Sequence, residues 1–115
     1  MTSRITTHVL DTSRGTPAVN LKVVLEVYTP AKEWKELARG ATNTDGRIPD
    51  LLPGTAELAL GVYRLTFLTG AYFQSTGAVA FYPYIPVVFE IREIQSHYHV
   101  PLLLNPFGYS TYRGQ

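Results

Sequence analysis

The chain has 115 residues, 45% of them hydrophobic and 17% charged, with ten Lys and Arg against nine Asp and Glu and no Cys. That length holds one domain and excludes a doubly wound nucleotide-binding fold or a β/α barrel, and the even charge balance leaves no footprint for nucleic acid or an anionic membrane. Without Cys there is no disulfide framework, no thiolate nucleophile and no zinc site of the thiolate kind.

The opening run from Met1 to His8 has no apolar stretch behind a basic start, and no segment approaches the ~18 apolar residues of a membrane span. The chain therefore reads as a mature, soluble single domain over residues 1–115, expected in the cytoplasm or, in a eukaryote, the peroxisome. Its last three residues, Arg113-Gly-Gln115, are not a peroxisomal address.

In chain order, Leu21 to Tyr28 mixes alternation with β-branched residues and stops at Thr29-Pro30, as a strand running into a turn does. Glu33 to Arg39 has some helical propensity, but its position favours a hairpin partner for that strand. Thr42 to Gly46 is a turn signal. Gly61 to Thr69 alternates cleanly, with Val62, Arg64, Thr66 and Leu68 on one face and Tyr63, Leu65 and Phe67 on the other. Ala71 to Gly77 fits one short helix capped by glycine. Val87 to Ile94 and Tyr98 to Leu104, joined at Gln95-Ser96, read as an antiparallel hairpin, and Pro101 should put the second strand at an edge or bulge it. Tyr109 to Tyr112 completes the set. About eight short strands and one helix predict an all-β, two-sheet antiparallel sandwich.

Residues with chemical potential are few. His97 and His99 lie two apart and so point the same way, a spacing found in metal sites and, more often, in imidazoles that fill a strand face. A zinc site would need a third ligand, for which His8 is the only other His. Arg47 follows the Asp45-Gly46 turn and by itself reads as a solvated loop charge. Asp11, Asp45 and Asp50 are expected at turns, and no phosphate loop, nucleophile elbow or His-Glu-x-x-His is present. The carboxyl end stays apolar and aromatic almost to the last residue, as a tail tied down against something would be.

Thr7-His-Val-Leu-Asp11 with Gly15-Thr-Pro17, Thr44-Asp-Gly-Arg47, Phe81-Tyr-Pro83, His99-Val-Pro-Leu-Leu-Leu104 and Tyr109-Ser-Thr-Tyr-Arg-Gly114 occur in one collinear order across nearly the whole chain. In this the sequence resembles the transthyretin-related 5-hydroxyisourate hydrolases. The resemblance implies a transthyretin-like sandwich that opens 5-hydroxyisourate, in urate degradation, to 2-oxo-4-hydroxy-4-carboxy-5-ureidoimidazoline without metal or cofactor. It implies catalytic roles for His8, Arg47 and His99, and a substrate-binding role for Arg47, Tyr112, Arg113, Gly114 and Gln115. His97 is left to structure.

The hydrolases of this family typically end in Ser where this chain has Gln115, whose amide has no hydroxyl to relay a proton. Either the tail only shapes the pocket and activity survives, or the enzyme is weakened. The alternative within the family is a carrier of a small aromatic ligand in the manner of transthyretin, which would not line its channel with His and Arg. A sandwich this small fills its core with its own side chains, so the resemblance also implies a homotetramer, a dimer of dimers, with sites between subunits and a purine-derived small molecule as ligand.

Overall fold

The computed structural model describes residues 3–53 and 56–115. Its elements are β1 (Ile5–Asp11), β2 (Thr16–Pro17), β3 (Lys22–Tyr28), β4 (Trp34–Ala41), β5 (Gly61–Phe67), α1 (Thr69–Thr76), β6 (Ile85–Ile91), β7 (Tyr98–Asn105) and β8 (Gly108–Thr111). They form two four-stranded sheets, ordered β2-β1-β7-β8 and β4-β3-β5-β6. The expected sandwich is therefore present, with the helix where its glycine cap placed it: Gly77 is left-handed at φ 80°, and its N–H and that of Ala78 bond back to Gln74 and Phe73 carbonyls.

The core follows from strand alternation. Tyr63, Leu65 and Phe67 of β5 point inward to meet Ile5 and Val9 of β1, Val23 and Leu25 of β3 and Leu102 and Leu104 of β7, all nearly or fully buried. Each such side chain contributes about 1.5–3 kcal/mol relative to an exposed one. In the segment Glu33 to Arg39 the strand begins at Trp34 and runs on to Ala41, and it pairs antiparallel with β3 as its hairpin position requires.

Three expectations need correction and a fourth an addition. Leu68 and Thr69 do not extend β5; Leu68 is the N-cap and Thr69 the first residue of α1. Segments β6 and β7 are not a hairpin, because they belong to opposite sheets. The connection between them is fixed by Tyr98, whose hydroxyl accepts from the N–H groups of Arg92 and Glu93 and donates to the Glu93 carbonyl. Thus the chain crosses the end of the sandwich instead of folding back.

Strand β7 also lies inside its sheet, so Pro101 is neither at an edge nor on a bulge. The His99 carbonyl accepts from Gly114 N–H, which sets odd-numbered backbone groups of β7 toward the tail. The missing N–H of Pro101 falls on that side, between the Leu102–Thr111 and His99–Gly114 pairs of one uninterrupted register. The Pro101 carbonyl is satisfied by the Thr111 hydroxyl at 2.7 Å. Finally, Asp11 opens the expected turn, its carbonyl accepting from Arg14 and Gly15 N–H, but it is a strand residue as well. It ends β1 fully buried, accepting from the Tyr72 hydroxyl at 2.8 Å and from Ser13 N–H and Oγ. Burial, with the Asp11 carboxylate beside it, pushes the Tyr72 phenol up to about 12.

The pairing that matters most for the site is between β1 and β7, the one parallel pair among the described residues. It sets Thr6 beside His99 and His8 beside Pro101.

Candidate active site

In β1 the residues Ile5, Thr7, Val9 and Asp11 are buried, so Thr6, His8 and Leu10 face outward. His99 lies on the same outer face of the adjacent strand, opposite Thr6. Two histidines more than ninety residues apart in sequence are thus brought to one side of one sheet.

Arg47 arrives from a loop stapled to β1. The Asn43 side-chain oxygen accepts from Asp45 and Arg47 N–H at 2.9 and 3.0 Å, closing a tight turn. Gly46 follows in the left-handed region at φ 77°, and its carbonyl accepts from Val9 N–H at 2.8 Å. A Cβ on Gly46 would fall 2.4 Å from the Val9 carbonyl oxygen, so only glycine lets the loop come this near. The result is a bridge that places Arg47 opposite His8.

The tail closes the other flank. Gly114 pairs with His99, and a Cβ there would sit 2.5 Å from Cδ2 of the imidazole. The tail backbone therefore lies directly against the His99 ring, and Gln115 is carried to the rim of an open cleft of about 260 Å³ shared with Thr6, Arg47, His97 and His99. His97 belongs to this group through Thr6, whose hydroxyl lies 2.9 Å from its Nε2 and 2.8 Å from Nδ1 of His99.

Tyr112 and Arg113 are not in that cleft. They line a neighbouring one of about 250 Å³ with Tyr98, and His99 borders both. The Arg113 guanidinium rests over the Tyr98 ring, 4.6 Å from its centroid. Of the residues the resemblance implied, Arg47, His99 and Gln115 line the first cleft, His8 stands opposite Arg47 and Gly114 against the His99 ring without lining it, and Tyr112 and Arg113 stand on the far side of His99. Thr6 is the member that sequence reasoning passed over. Reading Thr6 and His8 as two positions of one strand would have found it.

Electrostatics give the cluster its character. Burial, then the Arg47 charge, holds the His8 imidazole below its ordinary 6.5, with the Asp45 backbone and carboxylate working the other way. Burial likewise lowers His99, helped by Arg47, His8 and His97, while hydrogen bonding to the Thr6 backbone opposes the shift. Both imidazoles are thereby neutral near pH 7, with a free lone pair beside a permanent cation. Among the described residues no three His, Asp or Glu side chains are arranged to hold a metal ion. The chemistry this arrangement can perform is proton transfer next to a site for negative charge.

Known proteins share both fold and sequence. The profile of the HIUase/Transthyretin family matches residues 5–114. A 5-hydroxyisourate hydrolase of Mus musculus is 46% identical over 97% of this chain and 95% of its own length. Among solved structures, sea bream transthyretin in complex with thyroxine superposes with a TM-score of 0.91 at 33% identity, covering 97% of this chain and 95% of its own. The Klebsiella pneumoniae 5-hydroxyisourate hydrolase does so with a TM-score of 0.83 at 38% identity, covering 96% and 98%. With two sheets, a glycine-capped helix and a nearly full-length match at this identity, the chain belongs to the HIUase/Transthyretin family.

Proposed function

We propose that the protein is a 5-hydroxyisourate hydrolase and that the observation carrying this reading is the meeting of Arg47 with two neutral imidazoles, His8 and His99, on one outer sheet face. Ring opening needs a water to lose its proton as it attacks a ring carbonyl, an oxyanion to be held, and a ring nitrogen to gain a proton as it leaves. A neutral imidazole serves the first and, once protonated, the last; His99 and His8 share these two steps. The planar fork of Arg47 fits the carbonyl and N–H edge of a purine-derived ring and the charge that develops there. No step needs a metal or cofactor.

The fold alone favours neither branch of the family, since the thyroxine-bound transthyretin superposes at least as well as the hydrolase. Site chemistry decides. A carrier of an apolar aromatic ligand gains nothing from setting an arginine beside two partly buried histidines, whereas ring opening by water uses all three.

The cleft is open on one chain, and the exposed Val88 of β6 and Tyr109 of β8, on outer strands of the two sheets, leave apolar surface uncovered. Assembly into a homotetramer, a dimer of dimers, would cover such surface and close the cleft with a second copy, bringing the partner within reach of the substrate. Freshly generated 5-hydroxyisourate should lose its ultraviolet absorbance faster with the protein than without it, and His8→Asn or His99→Asn should cut that rate by about 10²–10⁴. A wild-type rate equal to the uncatalysed one would return the protein to the carrier reading, and a mass measurement that found only monomer would remove the shared site.

A further inference from the structure

The Thr6 hydroxyl sits between two imidazoles, 2.8 Å from Nδ1 of His99 and 2.9 Å from Nε2 of His97. A hydroxyl has one proton, so when it bridges two ring nitrogens it donates to one and accepts from the other. Two arrangements satisfy all three groups. In the first, Thr6 donates to His99 Nδ1, and the His99 proton lies on Nε2. In the second, His99 Nδ1–H donates to Thr6, Thr6 donates to His97 Nε2, and His99 Nε2 is bare.

Only the second leaves His99 able to take a proton from water, because Nδ1 is already committed to Thr6. Thr6 is well suited to enforce it. It is β-branched, with few rotamers, on a strand held to β7 in parallel register, and half-buried beside the two rings. His97, outside any strand, offers Nε2 at 2.9 Å, and in its Nδ1–H form that nitrogen is the acceptor that fixes which way the hydroxyl points.

We propose that Thr6, oriented by His97, is a positioning residue that holds His99 in the Nδ1–H tautomer and leaves Nε2 as the base. This deepens the hydrolase reading above and rests on it. It gives His97 a task, where the sequence left it to structure. Removing the His97 acceptor frees the hydroxyl to swing round and donate to His99, which moves the His99 proton to Nε2 and costs the base its lone pair.

The test pairs kinetics with a direct reading of the tautomer. Thr6→Val, which keeps the shape and removes the hydroxyl, should lower kcat for 5-hydroxyisourate roughly 10- to 100-fold with KM little changed. Thr6→Ser should restore most of it, and His97→Ala should resemble Thr6→Val. Nitrogen-15 NMR of the intact protein should show His99 with Nδ1 protonated and Nε2 bare in the wild type and in Thr6→Ser, and a mixture of tautomers in Thr6→Val and His97→Ala. A bare Nδ1 in the wild type, or unchanged turnover and tautomer in Thr6→Val, overturns the proposal. A wild type that does not accelerate ring opening defeats the hydrolase reading instead, while the NMR spectra still decide what Thr6 does.

Discussion

The two outer faces of the sandwich are built alike and differ in what their charges do. On the β4-β3-β5-β6 sheet, Arg64 pairs with Glu26 at 2.7 Å and lies over the Trp34 ring, and Arg39 pairs with Glu36. Both of those arginines have their anions, and Lys22 of β3, which has no ion pair among the described residues, has no histidine beside it in the strand pairing. On the β2-β1-β7-β8 sheet, Arg47 has no ion-pair partner among the described residues and stands beside two imidazoles whose protonation it opposes. Both faces are polar and alternate with the same core. Polarity alone therefore says nothing about function, and it is the uncompensated charge next to groups that titrate near neutrality that marks the site.

The strongest challenge to this contrast is Arg47→Ala. It should reduce kcat/KM for 5-hydroxyisourate by about 10²–10³, the usual cost of losing one donor to a developing oxyanion. Gly114→Ala comes next: its methyl group would sit 2.5 Å from His99 Cδ2, so ring or tail must shift. A roughly tenfold loss of kcat with an unchanged melting temperature is expected, since small misplacements of a catalytic group are costly.

The pH profile sharpens the comparison further. Both imidazoles have lowered pKa values in the folded protein, so they stay neutral through pH 7 and gain protons only as the pH falls below the ordinary 6.5. The rate should therefore be level around neutrality and fall on the acid side with a midpoint under 6.5, and the residual activity of Arg47→Ala should show that midpoint moved upward. The smallest effect belongs to the opposite face. Glu26→Gln should leave turnover within about twofold and cost about 1–3 kcal/mol in chemical denaturation, because it takes the charged partner from the partly buried Arg64.

Much of this was legible beforehand where the core-facing residues are apolar. The alternation of Tyr63, Leu65 and Phe67 announced β5 because each buries a large apolar side chain. Strand β1 was missed for the converse reason. Two of its four inward positions are Thr7 and Asp11, buried through hydrogen bonds to the Val100 carbonyl and to Tyr72 and Ser13, and such positions carry no apolar signature. The false hairpin of β6 and β7 had a similar origin, since a short polar turn between two strand-like runs does not reveal that Tyr98 ties the connection across the sandwich. For the site, the collinear motifs carry the residues, but only the β1–β7 register brings Thr6 between the two histidines, and the stacking of Arg113 on Tyr98 depends on side-chain packing that has no signature in the motif.

The parallel partnership of β1 and β7 has a kinetic side. Thr6 and His99 stand 93 residues apart in the chain. Closing so long a loop is among the slowest events in the folding of a small β protein, because chain entropy is lost before the contact repays it. Refolding from denaturant should therefore recover β-sheet signal from the local hairpin of β3 and β4 before it recovers catalysis, with turnover returning only when the two ends of the chain have met.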